Sequence, residues 1–223
     1  MEEAEFRELA ERIVHCDRCP RLRAYCEEVA RTKRRAYMAW TYWGRPLPGF
    51  GDPHAALLII GLAPAAHGGN RTGRMFTGNG SGDWLIRALY EVGLANRPIS
   101  VCREDGLELK STYITAVVRC APPGNKPLRE EIENCSEYLS EELRLLDDVR
   151  VVLTLGRVAF NTYLQLAPGS GRPVFKHGAM YGSGCGQPYL VASYHPSRQN
   201  TLTGKLKWKD WMDIFTRIRS MMD

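Results

Sequence analysis

The sequence contains no run of eighteen apolar residues, which excludes an ordinary membrane-spanning helix. It has no basic-then-apolar leader either. Residues 1–14, MEEAEFRELAERIV, are acidic and amphipathic, so no secretory signal is expected and a cytoplasmic location is. Internal repeats and low-complexity tracts are missing, which argues against a solenoid or a disordered tail. Strong charge is missing too: 30 Lys and Arg against 25 Asp and Glu leave +5, too little by itself to name a partner. Nor is there a flavin or nicotinamide fingerprint, because the GNGSG at 78–82 lies far from the strand end it would have to follow.

What remains is a chain of 223 residues, 44% hydrophobic, enough for one domain with a real core. The expected unit is 1–223, with 1–53 forming N-terminal helices and a loop packed onto it. The stretch LLIIGLAPAAHGGNRTGRMFTGNGSGDW at 57–84 organises the rest. Leu57–Ile60 reads as a buried parallel strand. Pro64 and repeated glycines then keep about twenty residues irregular, until Ser81 and Asp83 open a helix that runs toward Gly93. A glycine-rich loop at the carboxyl end of a strand is where open α/β sheets bind ligands.

Earlier in the chain, apolar residues at Phe6, Leu9, Ile13 and Val14 predict a helix over 2–14, and a second helix is expected over 22–38. Residues 40–53, rich in aromatics, Pro and Gly, read as a loop that crosses the sheet. Further strands are expected at 111–118, 149–155 and 189–193, and helices at 128–147, 157–166 and 205–221. The glycine-rich 168–188 region suits a hairpin. Alternating strands and helices predict an α/β fold, a mainly parallel four-stranded sheet covered on both faces. The loops 61–82, 119–127 and 194–204 would then gather at one edge.

There are seven cysteines. Cys16 and Cys19 have metal-site spacing, and Cys120 and Cys135 lie on a later strand–loop–helix unit. Four thiolates suit tetrahedral zinc or an iron–sulfur cluster, and the residues alone do not separate the two. A redox-active C-x-x-C, with Cys120 and Cys135 merely buried, is the alternative. Cys26, Cys102 and Cys185 read as ordinary cysteines. A metal at the four would tie the N-terminal helices to the second main strand, a stapling role.

Taken together, GLAPAAHGGNRTGRMFTGNGSG (61–82), VRCAPPGNKP (118–127), SYHPSRQN (193–200) and the four cysteines resemble the uracil-DNA glycosylase superfamily, specifically its family 5 (type b) enzymes. The resemblance runs from residue 16 to about 204. It implies a three-layer αβα sandwich and a structural 4Fe–4S cluster on Cys16, Cys19, Cys120 and Cys135. It also implies hydrolytic excision of uracil from DNA, with hypoxanthine as a further candidate base.

By that pattern Phe76 stacks on a flipped base, and Gly61, Ala65 and Ala116 line its pocket. His195, directly after a strand, presents an N–H to the base carbonyl that gains negative charge. Asn79 stands where family 5 usually has Asp; an amide can position water but cannot take its proton. Asn125 is the next candidate for contacting water or substrate. Related families place Asp or Asn at Ala65, and family 4 places a base-reading Asn at Ala116, so relaxed base choice is expected. DNA grip is assigned to Arg71, Arg74, Ser197, Arg198, Gln199 and Asn200, with Lys205 and the basic 31–35 segment in support. Leu202, apolar in a polar loop, is a candidate wedge. The departure at Asn79 motivates a second reading, a weakly active or inactive DNA- or nucleotide-binding protein. A third is an unrelated α/β iron–sulfur redox protein. Monomer is the default state.

Overall fold

The computed structural model describes residues 2–167, 173–182 and 186–222. Helix α1, Glu2–Val14, turns Leu9 and Ile13 inward. Helix α2 covers Pro20–Thr32; its opening proline needs no N–H partner in a first turn. It stops six residues short of the expected end. Lys33, at φ 55°, gives its N–H to the Val29 carbonyl and closes the helix, and Arg35–Tyr37 form a separate 3-10 turn. A run of neighbouring cations disfavours continuing the helix there.

The chain then enters β1 (Phe50–Gly51) and β2 (Leu57–Gly61), followed by a one-turn α3 (Gly69–Thr72) and α4 (Gly80–Glu91). Next come β3 (Thr112–Ala116), α5 (Arg129–Leu145), β4 (Val151–Leu155) and α6 (Arg157–Leu166). The last elements are β5 (Met180–Tyr181), β6 (Tyr189–Ser193), α7 (Arg198–Leu202) and α8 (Trp208–Met222).

The sheet order is β1-β3-β2-β4-β6-β5. The four inner strands are parallel, as expected, but antiparallel two-residue strands add an edge on either side, making six. Strands that short carry no periodicity to read. The hairpin expected over 168–188 lies partly outside the described residues, as does Cys185; within them, β5 pairs antiparallel with β6.

The inner strands are nearly all buried, as strands with helices on both faces must be. Leu57, Ile59, Ile114 and Leu153 face α4 and α8, where Leu85, Leu89, Trp211 and Phe215 complete one core layer. Leu58, Ile60, Val152 and Leu190 face the other way, onto Leu22, Cys26, Leu139 and Phe160 of α2, α5 and α6. Helix α1 packs outside α5 through Tyr138 and Leu145. The result is a three-layer αβα sandwich. Among the described residues no helix is long and apolar enough to cross a membrane.

One polar network crosses the second layer. Glu142 Oε2 accepts from Arg119 Nη2 and from Thr115 Oγ1, each at 2.6 Å, and both charges are fully buried. This pair anchors the loop that leaves β3. From β2 the chain passes to β3 on one side and later to β4 on the other. That reversal opens a crevice at the carboxyl ends of the strands, where the functional loops emerge.

Candidate active site

The loop after β2 is held from behind. Arg74 donates to both oxygens of Asp105 at 2.7 and 2.8 Å, to Ser100 Oγ at 2.8 Å and to Thr77 Oγ1 at 3.0 Å. Asp105 also accepts backbone N–H groups of Val101 and Leu107. Burial works against its charged form, but these donors outweigh it and leave the carboxyl below its ordinary value. Arg71 lies between the rings of Tyr37 and Trp40, 4.0 and 4.1 Å from their centroids, and donates to the His67 and Gly78 carbonyls. Arg71 and Arg74 are only 3% and 7% exposed. The expectation that they grip DNA is therefore corrected: both guanidiniums are turned inward and shape the loop.

Two residues after Arg74 comes Phe76, at φ 51°. A left-handed conformation is uncommon for an aromatic residue, and such positions collect at functional sites. Its ring lies against the end of β2: a Cβ on Gly61 would stand 2.9 Å from the Phe76 ring, so only glycine fits. Asn79 caps α4, its Oδ1 accepting the Gly82 N–H at 2.8 Å. The Nδ2 side of the amide lies over Gly68, beside Ala65; a Cβ on Gly68 would meet Nδ2 at 2.2 Å and the Ala65 Cβ at 3.2 Å.

On the opposite side of the crevice, β6 ends at Ser193 and delivers His195. The turn that follows is self-tied. Ser197 N–H and Asn200 Nδ2 both donate to the His195 carbonyl, at 2.7 and 2.8 Å, and Ser197 Oγ caps α7 by accepting from Asn200 N–H. Ser197 and Asn200, assigned above to phosphates, are thus occupied in setting this turn. Arg198 and Gln199 are exposed, and Leu202 is 74% exposed.

Phe76 and His195 come together: their ring centroids are 5.8 Å apart, inclined by 31°. More than a hundred residues of sequence separate them. Burial lowers the His195 pKa from 6.5 to about 4, so the ring is neutral at physiological pH, with one N–H to donate. Ala116 is the ladder partner of Gly61 and is fully buried. Asn125 is exposed on the 3-10 turn Pro123–Asn125, at φ 58°.

Two supporting residues escaped sequence reading, His177 and Asp105. His177 Nδ1 accepts the Tyr194 N–H at 3.2 Å, and its ring stacks on Tyr194 at 4.6 Å. It holds Tyr194, the residue immediately before His195. Nothing in the irregular region around it signals that partner. Asp105 escaped for the same reason, lying in a polar connection without periodicity.

The four cysteines lie on the α1–α2 connection, just past β3 and on α5; none forms a disulfide, and Cys19, Cys120 and Cys135 are buried. Burial pushes the Cys19 and Cys135 thiols up, toward the neutral form, and the neighbouring cysteines, Cys120 and Cys16 beside Cys19 and Cys120 and Cys19 beside Cys135, add to the shift. Among the described residues, no group of three or more His, Cys, Asp or Glu stands in metal-holding arrangement.

Comparison with known proteins bears on the same residues. The family model for the uracil DNA glycosylase superfamily matches residues 48–215, which contain both halves of the ring pair. A type-5 uracil-DNA glycosylase of Mycobacterium tuberculosis is 49% identical over 217 residues, covering 96% of this chain and 81% of that protein. One from Thermus thermophilus is 46% identical over 210 residues, 94% of each. One from Pyrobaculum aerophilum is 45% identical over 212 residues, 95% of this chain and 91% of that protein.

Proposed function

This chain belongs to the uracil-DNA glycosylase superfamily, and on that footing we propose that it excises uracil from DNA by hydrolysis, leaving an abasic site. The observation that carries the reading is the 5.8 Å approach of Phe76 and His195 at the carboxyl ends of β2 and β6. A base turned out of the duplex stacks on the Phe76 ring. Cleavage of the N-glycosidic bond sends its electron pair into the base, leaving a uracil anion and a sugar with oxocarbenium character. The neutral His195 N–H hydrogen-bonds the carbonyl oxygen where that negative charge gathers. Water then adds to the sugar cation and loses a proton to solvent.

Asn79 spends its carbonyl oxygen on the Gly82 N–H, so it supplies orientation for water and no base. The reaction therefore leans on bond breaking ahead of water attack. The same observation favours a second reading, a scaffold that binds uracil DNA with little turnover. Single-turnover assays on duplexes bearing uracil, hypoxanthine or thymine decide between them. Release of uracil, lost in His195→Ala, supports excision; tight binding without release supports the second. Release of hypoxanthine as well supports the relaxed specificity inferred from Ala116.

Cys16, Cys19, Cys120 and Cys135 are proposed to hold a 4Fe–4S cluster. The donor chemistry fits: four free thiols, three of them buried, with Cys19, Cys120 and Cys135 close enough to influence one another and Cys16 close to Cys19. The thiol side chains must turn toward a common centre to bind. Such a cluster would supply a cross-link between the α1–α2 connection, the loop after β3 and α5, far in function from the ring pair. Iron and sulfide counts of about four per chain, with absorption near ~400 nm, support it; zinc in their place refutes it. Arg198, Gln199 and Leu202, exposed on α7, are proposed to meet the DNA beside the flipped base.

A further inference from the structure

The segment from Arg34 to Leu47 forms a strap along the carboxyl edge of the sheet. Trp43 and Gly44 give their N–H groups to the carbonyls of Arg71 and Asn70, and Leu47 to that of Arg119, so the strap is stitched to the loops after β2 and β3. Tyr42 Oη meets His67 Nδ1 at 3.1 Å. Tyr37 and Trp40 face inward onto Arg71, and Trp43 covers Gly73. With its aromatic rings used as anchors, the strap leaves Arg34, Arg35 and Arg45 exposed. None of the three makes an ion pair among the described residues. Exposed Arg31, Arg87, Arg129 and Arg144 meet carboxylates, whereas exposed Arg7 and Arg217, like the strap arginines, show no ion pair among the described residues, so it is the place of the strap charges beside the crevice that sets them apart.

We infer that this strap is a second DNA-backbone grip, on the flank of the crevice opposite α7, with Arg34, Arg35 and Arg45 neutralising phosphates beside the lesion. The inference rests on the excision reading for its partner. Three observations point to phosphate. None of the three meets a carboxylate among the described residues, Arg45 resting only on the Trp43 ring; they are guanidiniums suited to forked contact; and the strap that carries them is fixed to the loop that carries Phe76. Two buried arginines, Arg71 and Arg74, build the loop from within, and the strap arginines present the charge outside it. Neutralising DNA phosphates releases the counterions condensed on them, so the grip has a thermodynamic signature distinct from stability or chemistry.

The test measures binding of the full-length protein to an undamaged duplex of about 20 base pairs by fluorescence anisotropy across a salt series. The variant Arg34→Gln/Arg35→Gln/Arg45→Gln is compared with Arg7→Gln/Lys110→Gln/Arg217→Gln, which removes the same charge from exposed positions that also show no ion pair among the described residues. The strap variant should lower the slope of log affinity against log salt by about 2 to 3, at about 0.9 per phosphate contact, and weaken binding at least ~tenfold. The control variant should leave the slope in place. An unchanged slope in the strap variant, or an equal fall in both, overturns the inference. Because the probe carries no uracil, this result is independent of excision, which is scored separately on wild-type protein.

Discussion

The neutral state of His195 makes a prediction that can fail cleanly. Burial carries its pKa from 6.5 down to about 4, and no charged partner opposes that shift. At 1.36 kcal/mol per pH unit, the difference amounts to about 3 kcal/mol in favour of the uncharged ring. The consequence for stability has a definite sign. As pH falls from about 6.5 toward 4, the unfolded chain takes up a proton that the folded chain refuses, so stability declines through that window and is fully present above it. His195→Gln removes that contribution, and the difference between the two denaturation curves isolates it.

The consequence for catalysis is sharper. If an imidazolium were the donor, only about one molecule in a thousand would be competent at pH 7, and the rate would fall tenfold per pH unit. With a neutral donor the single-turnover rate should be flat from about pH 5.5 to 8. His195→Ala should lose about 10²- to 10³-fold, the cost of one donor at a developing oxyanion. His195→Gln, which keeps a neutral N–H, should recover part of it. A rate that falls steadily above pH 5.5, or a His195→Ala variant within about threefold of wild type, would refute the reasoning.

Asn79→Asp keeps the cap on Gly82 and adds a carboxylate that can take a proton from water, so single-turnover excision should rise several-fold without loss of melting temperature. A fall in rate would show that the amide is needed as it stands. Asn79→Ala, by contrast, should cost about 1 kcal/mol of stability through loss of the cap, read by urea denaturation. Gly61→Val places its Cβ against the Phe76 ring, 2.9 Å away, and a ring displaced by an ångström should cost on the order of 10²-fold in excision. Retained activity would mean that the ring position does not matter. Glu142→Leu strands Arg119 as a buried unpaired charge and should destabilise by about 3–5 kcal/mol, while a loss under about 1 kcal/mol would exclude a structural role for the pair.

Much of the fold was legible in the chain. The run Leu57–Ile60 and the strand that ends just before His195 lie where pattern puts them; the helix after the glycine loop is there too, but Asn79 rather than Ser81 caps it, and one helical turn, Gly69–Thr72, interrupts the loop. Those features are local. A β-branched apolar run, an N-cap or a glycine cluster acts on its own neighbours, and its signal survives in sequence. The edge strands β1 and β5 were not legible, because two residues define no period.

The direction of long side chains was decided by tertiary structure alone. Arg71, Arg74, Arg34 and Arg45 are alike in the chain, yet two are buried as clamps and two are exposed. An arginine enters the interior only where other groups compensate its charge: Asp105 and Ser100 accept from Arg74, and the Tyr37 and Trp40 rings flank Arg71, in each case from another segment. The same holds for Asn79, whose carbonyl is claimed by the first turn of α4. Sequence alone determined the order of the elements and which residues stand at strand ends. Only the packed molecule decided which of them meet, because partners for buried charge and for opposing rings come from across the sheet.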